Sequence, residues 1–296
     1  MRKPIFEGAG VAIVTPFDKN GLINYDRFAE LIDFQINNHT DAIIVCGTTG
    51  ESSTLSDEEH LTAIAYAVER TEKRVPVIAG TGSNDTAYAT KLSKKAQKFG
   101  ADAVLLVTPY YNKTTQDGLF KHFSAISSAI DIPVILYNIP SRTGMNIELQ
   151  TMQKLANIPN IVAVKEASGN ISYVAKLIAE LGDRLDVYSG NDDMILPIMS
   201  LGGKGVISVL SNIIPQETHD MVELCLKNDF NTARDIQLGF LDLINALFCE
   251  VNPIPVKAAL NIMGWDVGNC RLPLCEMSME HYTALKHIMW KHGLTE

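Results

Sequence analysis

Eight short apolar runs, each followed by a stretch of helical periodicity, constrain this chain more than any other feature. The runs are Val11–Phe17, Asp41–Gly47, Val75–Thr81, Ala103–Pro109, Pro133–Pro140, Ile161–Ala167, Leu185–Gly190 and Gly205–Val209. They are nearly continuous in Val, Ile, Leu and Ala rather than alternating. Strands of a parallel sheet covered on both faces read this way. Between the runs the apolar spacing changes. Ser56 followed by Glu59 predicts a capping box, and Leu61, Ile64, Ala65 and Val68 then recur at i, i+3, i+4 and i+7. Leu92, Ala96 and Phe99 form another stripe, ended by Gly100, and Tyr25, Phe28 and Ile32 form a third. Eight such units in roughly 225 residues predict an α/β fold of the (β/α)8 TIM-barrel type. An open doubly wound sheet is the alternative. It would usually carry a glycine-rich phosphate turn after its first strand, where this chain has Thr15-Pro16-Phe17-Asp18.

After Asn228 the strand pattern stops. Thr232–Cys249, Val256–Ile262 and Ser278–Lys291 are predicted helices between loops containing Pro and Gly. The expected organisation is a barrel over 1–228 and a C-terminal three-helix appendage over 229–296, packed on the barrel or on a neighbouring subunit. Hydrophobic residues make up 46% and charged residues 20%, which excludes a disordered chain. A net charge of −9 without a Lys/Arg run argues against nucleic acid or an anionic membrane as partner. No unbroken apolar run approaches the length of a membrane span, and the N-terminal stretch lacks the pattern of a secretory leader. The five cysteines are scattered and form no C-x-x-C pair, as in reduced thiols of a cytoplasmic protein.

Chemistry in a parallel barrel collects at the C-terminal ends of the strands. The second run ends in Cys46-Gly47-Thr48-Thr49-Gly50-Glu51, two hydroxyls between glycines, which suits an anion cradle or a plain turn. The fifth ends in Tyr137, with Arg142 five residues on: a proton donor and a carboxylate clamp, or a core tyrosine and a loop arginine. The sixth is the sharpest feature, because Lys165 interrupts an otherwise apolar strand. Simple alternation puts Ile161, Ala163 and Lys165 on one face and Val162, Val164 and Glu166 on the other. Desolvation at the barrel mouth lowers the pKa of an amine and prepares it to attack a carbonyl; the competing role is an ion pair with a carboxylate. Glycines after the last two runs, at Gly190 and Gly202 to Gly205, also suit phosphate binding. His60 beside Asp57, Glu58 and Glu59 reads as a helix start, and the seven histidines show no ligand spacing, so no metal is implied.

Taken in order, Gly47-Thr48-Thr49-Gly50-Glu51, Pro109-Tyr110-Tyr111-Asn112, Tyr137-Asn138-Ile139-Pro140-Ser141-Arg142-Thr143, Lys165-Glu166-Ala167, Ser189-Gly190-Asn191-Asp192, Gly205-Val206-Ile207-Ser208 and Asn252-Pro253-Ile254-Pro255-Val256-Lys257 resemble the pyruvate-dependent Schiff-base aldolase/lyase family of barrels. The resemblance runs from Gly8 to about Arg271. It is strongest to the branch that condenses pyruvate with L-aspartate 4-semialdehyde, the first committed step of the diaminopimelate and lysine pathway. Sialic acid lyases and keto-sugar-acid aldolases are siblings that share the lysine and the tyrosine.

The resemblance implies roles. Lys165 would form an imine with pyruvate, which takes the place of a cofactor. Tyr137 would be the general acid/base at that imine. Thr48 and Tyr111 would relay its proton to solvent, with Tyr111 reaching in from a neighbouring subunit of a homodimer or homotetramer. Thr49 would hold the pyruvate carboxylate, Arg142 the carboxylate of the semialdehyde, and Gly190 and Ile207 would line the pocket. Lysine-inhibited members bind their effector at positions matching Ser52, Ser53, Asp57, His60, Asn84, Tyr88 and Tyr110. Ser52, His60, Asn84 and Tyr110 keep the sensitive pattern. Asp57 and Tyr88 depart from it, at positions where sensitive members often carry His and Glu, so weak or absent inhibition by lysine is expected.

Overall fold

A computed structural model describes residues 3–295. Met1, Arg2 and Glu296, which open the N-terminal stretch and end the C-terminal region read above, lie outside the described residues. Eight strands close a parallel barrel in chain order: β1 (Gly8–Ala12), β2 (Ala42–Val45), β3 (Val77–Gly80), β4 (Ala103–Val107), β5 (Val134–Asn138), β6 (Ile161–Glu166), β7 (Asp186–Ser189) and β8 (Gly205–Ser208). The helices between them are α1 (Tyr25–Asn37), α2 (Asp57–Thr71), α3 (Thr86–Phe99), α4 (Gln116–Ser127), α5 (Pro140–Thr143), α6 (Leu149–Leu155), α7 (Ile171–Leu181) and α8 (Ile195–Ser200). After β8 come α9 (Pro215–Leu226), α10 (Phe230–Gly239), α11 (Leu241–Ala246), α12 (Ile254–Ile262) and α13 (Met279–Lys291). None of the described helices is long and apolar enough to cross a membrane.

Local chemistry fixes the helices. Ser56 and Glu59 form the expected reciprocal capping box on α2, and Asp85 and Asn170 cap α3 and α7 with their side chains. The outward-facing strand residues, among them Val11, Ile43, Val77, Val104, Leu136 and Val164, join one cluster with the apolar faces of the helices. A second cluster fills the barrel interior, including Ile44, Leu105, Tyr137, Ala163, Tyr188 and Ile207, with Phe6 stacked on Tyr188 at 4.4 Å.

Three expectations need correction. The first strand is Gly8–Ala12, not Val11–Phe17. Its glycines are weak strand formers, but the β2 side demands them: a Cβ on Gly8 would sit 2.0 Å from Asp41 Oδ2, and one on Gly10 2.7 Å from Ile44 Cδ1. Past Val14, whose amide bonds the Asn212 side chain, the chain has left the ladder. Second, alternation along β6 is broken by a bulge. Val134 pairs with Ile161 but Ile135 pairs with Ala163, so Val162 is the extra residue. Ile161 therefore faces the helices, while Val162 joins Ala163 inside. Third, the stretch predicted as one helix over Thr232–Cys249 is two, α10 and α11, broken at Phe240 after Gly239, the poorest helix former in it apart from proline. The C-terminal region thus holds four helices among the described residues rather than three.

Candidate active site

Lys165 ends β6 with its side chain inside the barrel, and Tyr137 is its register partner on β5. The amine lies 4.4 Å from the centre of the Tyr137 ring. Both residues are buried, each 6% exposed. Burial pulls the Lys165 ammonium down to about 8; the Asp192 carboxylate opposes this and the Arg142 guanidinium adds to it. Burial pushes the Tyr137 phenol up to about 12, against Arg142 and a hydrogen bond with Thr48. The pair is therefore an amine that loses its proton readily beside a phenol that keeps its own. An amine in that state attacks a carbonyl, and a protonated phenol donates to the oxygen that must leave.

Gly190 follows β7 against this amine. A Cβ there would come within 3.2 Å of Lys165 Cε and 2.7 Å of the Ala167 Cβ, so the site requires glycine for space. Ile207, fully buried on β8, lies in the interior cluster that includes Tyr137. On the outer side of the wall, Glu166 accepts hydrogen bonds from Asn138 Nδ2 at 2.8 Å and the Ser168 amide at 2.7 Å. Those bonds tie the ends of β5 and β6 together behind Tyr137 and Lys165.

The loop after β2 brings Thr48 and Thr49 to the mouth. Thr48 borders a cleft of about 380 Å³ with Ser52, His60, Tyr88, Tyr110 and Arg142. A smaller cavity of about 40 Å³ shares Thr48 with that cleft and reaches Tyr137. Lys165 borders neither cavity and lies over the Tyr137 ring. Arg142, on α5, is exposed and donates to the Asn252 carbonyl at 3.3 Å. The Asn252 side chain donates to Thr49 Oγ1 at 3.0 Å. One residue of the C-terminal region thus holds both predicted carboxylate-binding groups. Tyr111 is not brought to Tyr137 within this chain. It is 86% exposed, and Asn84 Oδ1 holds its amide at 3.0 Å and that of Tyr110 at 2.7 Å.

The predicted residues Lys165, Tyr137, Thr48, Gly190 and Ile207 therefore meet at one end of the barrel, with Arg142 and Thr49 at its rim. Ser52, His60 and Tyr110 share the cleft, with the His60 ring nitrogen 2.8 Å from the Gly80 carbonyl oxygen. Three features were given no role in the sequence reading. Asn252 is the first. The second is a buried ion pair, Lys257 Nζ to Glu51 Oε1 at 2.9 Å, which ties α12 to the β2 loop; a lysine inside the apolar run Ile254–Leu260 was its trace in the sequence. The third is a set of ligand-type atoms on His219, Asp220 and Glu223, within 4.8 Å of one another on α9, where His219 and Glu223 do have i, i+4 spacing. They lie away from the mouth and are already engaged: His219 Nδ1 with Asp41 at 2.8 Å and Glu223 with Lys227 at 2.7 Å.

The sequence profile described as the Dihydrodipicolinate synthetase family matches residues 5–292. A protein of Lachnoclostridium phytofermentans named 4-hydroxy-tetrahydrodipicolinate synthase is 62% identical over 98% of this chain and 99% of its own length. One of the same name from Acetivibrio thermocellus is 58% identical over 99% of this chain and 100% of its own. The crystal structure of a chloride-inhibited dihydrodipicolinate synthase of Acinetobacter baumannii, complexed with pyruvate, superposes with a TM-score of 0.96 at 43% identity, covering 97% of this chain and 99% of that one. A buried amine of lowered pKa over a tyrosine, in a barrel that matches these proteins from end to end, places the chain in the dihydrodipicolinate synthetase family.

Proposed function

We propose that this chain is a 4-hydroxy-tetrahydrodipicolinate synthase, a Schiff-base-forming lyase that condenses pyruvate with L-aspartate 4-semialdehyde. The observation that carries the reading is the Lys165 amine, desolvated inside the barrel and 4.4 Å from the Tyr137 ring. The uncharged amine adds to the pyruvate carbonyl and gives a carbinolamine. Tyr137 donates a proton to the carbinolamine oxygen, water leaves, and an iminium forms. The iminium acidifies the pyruvate methyl group, whose proton is lost to give an enamine. That enamine adds to the aldehyde of the semialdehyde. The amino group of the second substrate then attacks the imine carbon, closes a six-membered ring and expels Lys165 as the free amine. The covalent imine is the electron sink, so no cofactor or metal enters.

Thr49 and the loop around it hold the pyruvate carboxylate in this scheme, and Arg142 holds the carboxylate of the semialdehyde at the rim. Thr48 passes the phenolic proton outward. Tyr111, exposed here, completes the relay from a neighbouring subunit, which requires at least a homodimer and fits a homotetramer. Five free cysteines support a cytoplasmic location.

The test is product formation from pyruvate with each candidate aldehyde. The expected result is turnover with aspartate semialdehyde and little with N-acetylmannosamine or sugar aldehydes. The reverse preference would favour a sibling aldolase. A pH dependence follows from the amine. Below its lowered pKa of about 8, Lys165 is an ammonium ion and cannot attack, so kcat/KM for pyruvate should rise as pH increases through that value. A profile flat from weakly acid to alkaline pH would contradict this.

Regulation by lysine should be weak or absent. The two departures from the sensitive pattern face each other: Tyr88 Oη donates to Asp57 Oδ1 at 2.7 Å, and Lys91 Nζ lies 3.2 Å from Asp57 Oδ2. The carboxylate that could meet an effector's amine is already paired, and burial and Asp57 push the Tyr88 phenol up to about 12, so it stays a neutral donor. Initial rates should be unchanged by lysine at concentrations well above micromolar; inhibition in the micromolar range would overturn this expectation.

A further inference from the structure

The scheme above leaves one buried acid at the barrel mouth without a task. Asp192 follows β7 and is 2% exposed. Its Oδ2 accepts hydrogen bonds from the amides of Val209 at 3.1 Å and Leu210 at 2.9 Å. Gln237 of α10 donates to its backbone carbonyl at 2.8 Å, so the residue is fixed from the β8 side and from the C-terminal helices. Its other oxygen, Oδ1, is buried and has no hydrogen-bond partner. Leaving such an atom unpaired costs free energy, and native folds keep few of them. The acid is therefore held rigidly for a reason other than its own solvation.

The surrounding charges supply the reason. Among the described residues no hydrogen bond or ion pair joins Asp192 to Lys165; the Asp192 charge opposes the pull of burial on the amine, while burial pushes the Asp192 carboxyl itself up, against its bonds to Leu210 and Val209 and the Lys165 charge. The other ionisable groups that face this amine are Tyr137 of β5, whose ring lies 4.4 Å away, and Arg142 on α5, whose charge works against a cation at Lys165. Gly190, two residues before Asp192, makes the room that brings the lysine chain up to this loop. A contact ion pair would keep the amine as an ammonium and block its attack. A carboxylate held short of contact leaves the amine free to lose its proton.

We propose that Asp192 is the counter-charge of the nitrogen at Lys165, a positioning residue that stabilises the positive iminium without touching the substrate. The proposal rests on the imine reading above and deepens it. Once the amine has become an iminium, its charge persists until the methyl proton is lost. In a desolvated pocket with Arg142 nearby, an uncompensated cation there is costly. A carboxylate anchored by two backbone amides lowers that cost and needs no rearrangement when the charge appears.

Asp192→Asn tests this. The amide oxygen can still accept from Val209 and Leu210, so the loop is kept and the charge is lost. The expected result is a fall in kcat of about 10- to 100-fold with a much smaller change in KM for pyruvate. The acid limb of kcat/KM should also move to lower pH by about one unit, because an ammonium without its counter-charge releases its proton more easily. A loss of packing alone would lower kcat without moving that limb downward. Asp192→Ser, read by the same profile, serves if the asparagine variant does not fold. An acid limb that stays or moves upward, or an unchanged kcat, overturns the proposal. Borohydride reduction with pyruvate separates the two levels. If wild-type Lys165 gains no adduct, the imine reading fails and the counter-charge falls with it. If wild type gains the adduct and the variant profile is unshifted, only the counter-charge fails.

Discussion

Lys165→Met should abolish turnover, lowering kcat by roughly 1,000-fold or more, while leaving the barrel folded. The expectation combines two properties of one side chain. In the proposed mechanism Lys165 supplies the nucleophile, and among the described residues it is the amine that lies over the Tyr137 ring. It is also a cost to the fold, because burial disfavours its charged form. Its folded pKa, about 8, lies below the ordinary lysine value of 10.5. The folded state thus holds its proton less tightly than the unfolded chain, and this side chain's contribution to stability declines as pH falls from the unfolded value through the folded one. Methionine fills similar space without a charge to desolvate. At neutral pH the variant should melt at the same temperature as wild type or higher. Intact-mass measurement after pyruvate and borohydride should show an adduct on wild type and none on the variant. A variant that still turns over pyruvate and the semialdehyde would remove the amine from the mechanism.

Lys257→Met should have the opposite profile: a large loss of stability. Lys257 and Glu51 are both almost fully buried, and Lys257 also donates to the carbonyls of Thr15 at 3.1 Å and Asn269 at 2.9 Å. Its amine lies 4.3 Å from the Phe17 ring centre. Glu51 in turn accepts the Arg271 amide at 2.9 Å. Removing the lysine alone strands a buried carboxylate and two carbonyls, a change that costs about 3–5 kcal/mol in comparable pairs. For a chain of this size that is a drop in thermal midpoint of roughly 5–8 °C. Glu51→Gln combined with Lys257→Met removes the stranded charge and should recover part of the loss, since neutral replacements of buried pairs are often tolerated. The pair would be dispensable if the single variant melted with wild type.

The barrel was legible because eight buried parallel strands leave a coarse trace, apolar runs at regular spacing, that survives errors of several residues at each end. What was not legible depended on closure and on distance. Gly8 and Gly10 look like loop residues until β2 is brought against β1, and only then do the Asp41 and Ile44 side chains occupy the space a Cβ would need. The bulge at Val162 is a property of the β5–β6 pair, invisible in the strand's own alternation. At the site, Lys165 stood out because charge is rare in a buried strand, and Tyr137 because it ends one. Asp192 and Asn252 stood inside family motifs but had no role that the linear chain could assign. Their settings are made by residues up to 203 positions away, as in the bond from Asn252 to Thr49. Polar residues of that kind look like any loop residue in the linear chain.

The ties from Asn252, Lys257 and Arg271 to the loop after β2 carry a consequence for biosynthesis. A ribosome makes Thr49 and Glu51 more than 200 positions before these partners, so a chain halted after β8 carries Lys165 and Tyr137 but lacks the residues that tie the rim. The rim of the proposed site is thus completed only by residues synthesised long after the amine and the phenol it surrounds.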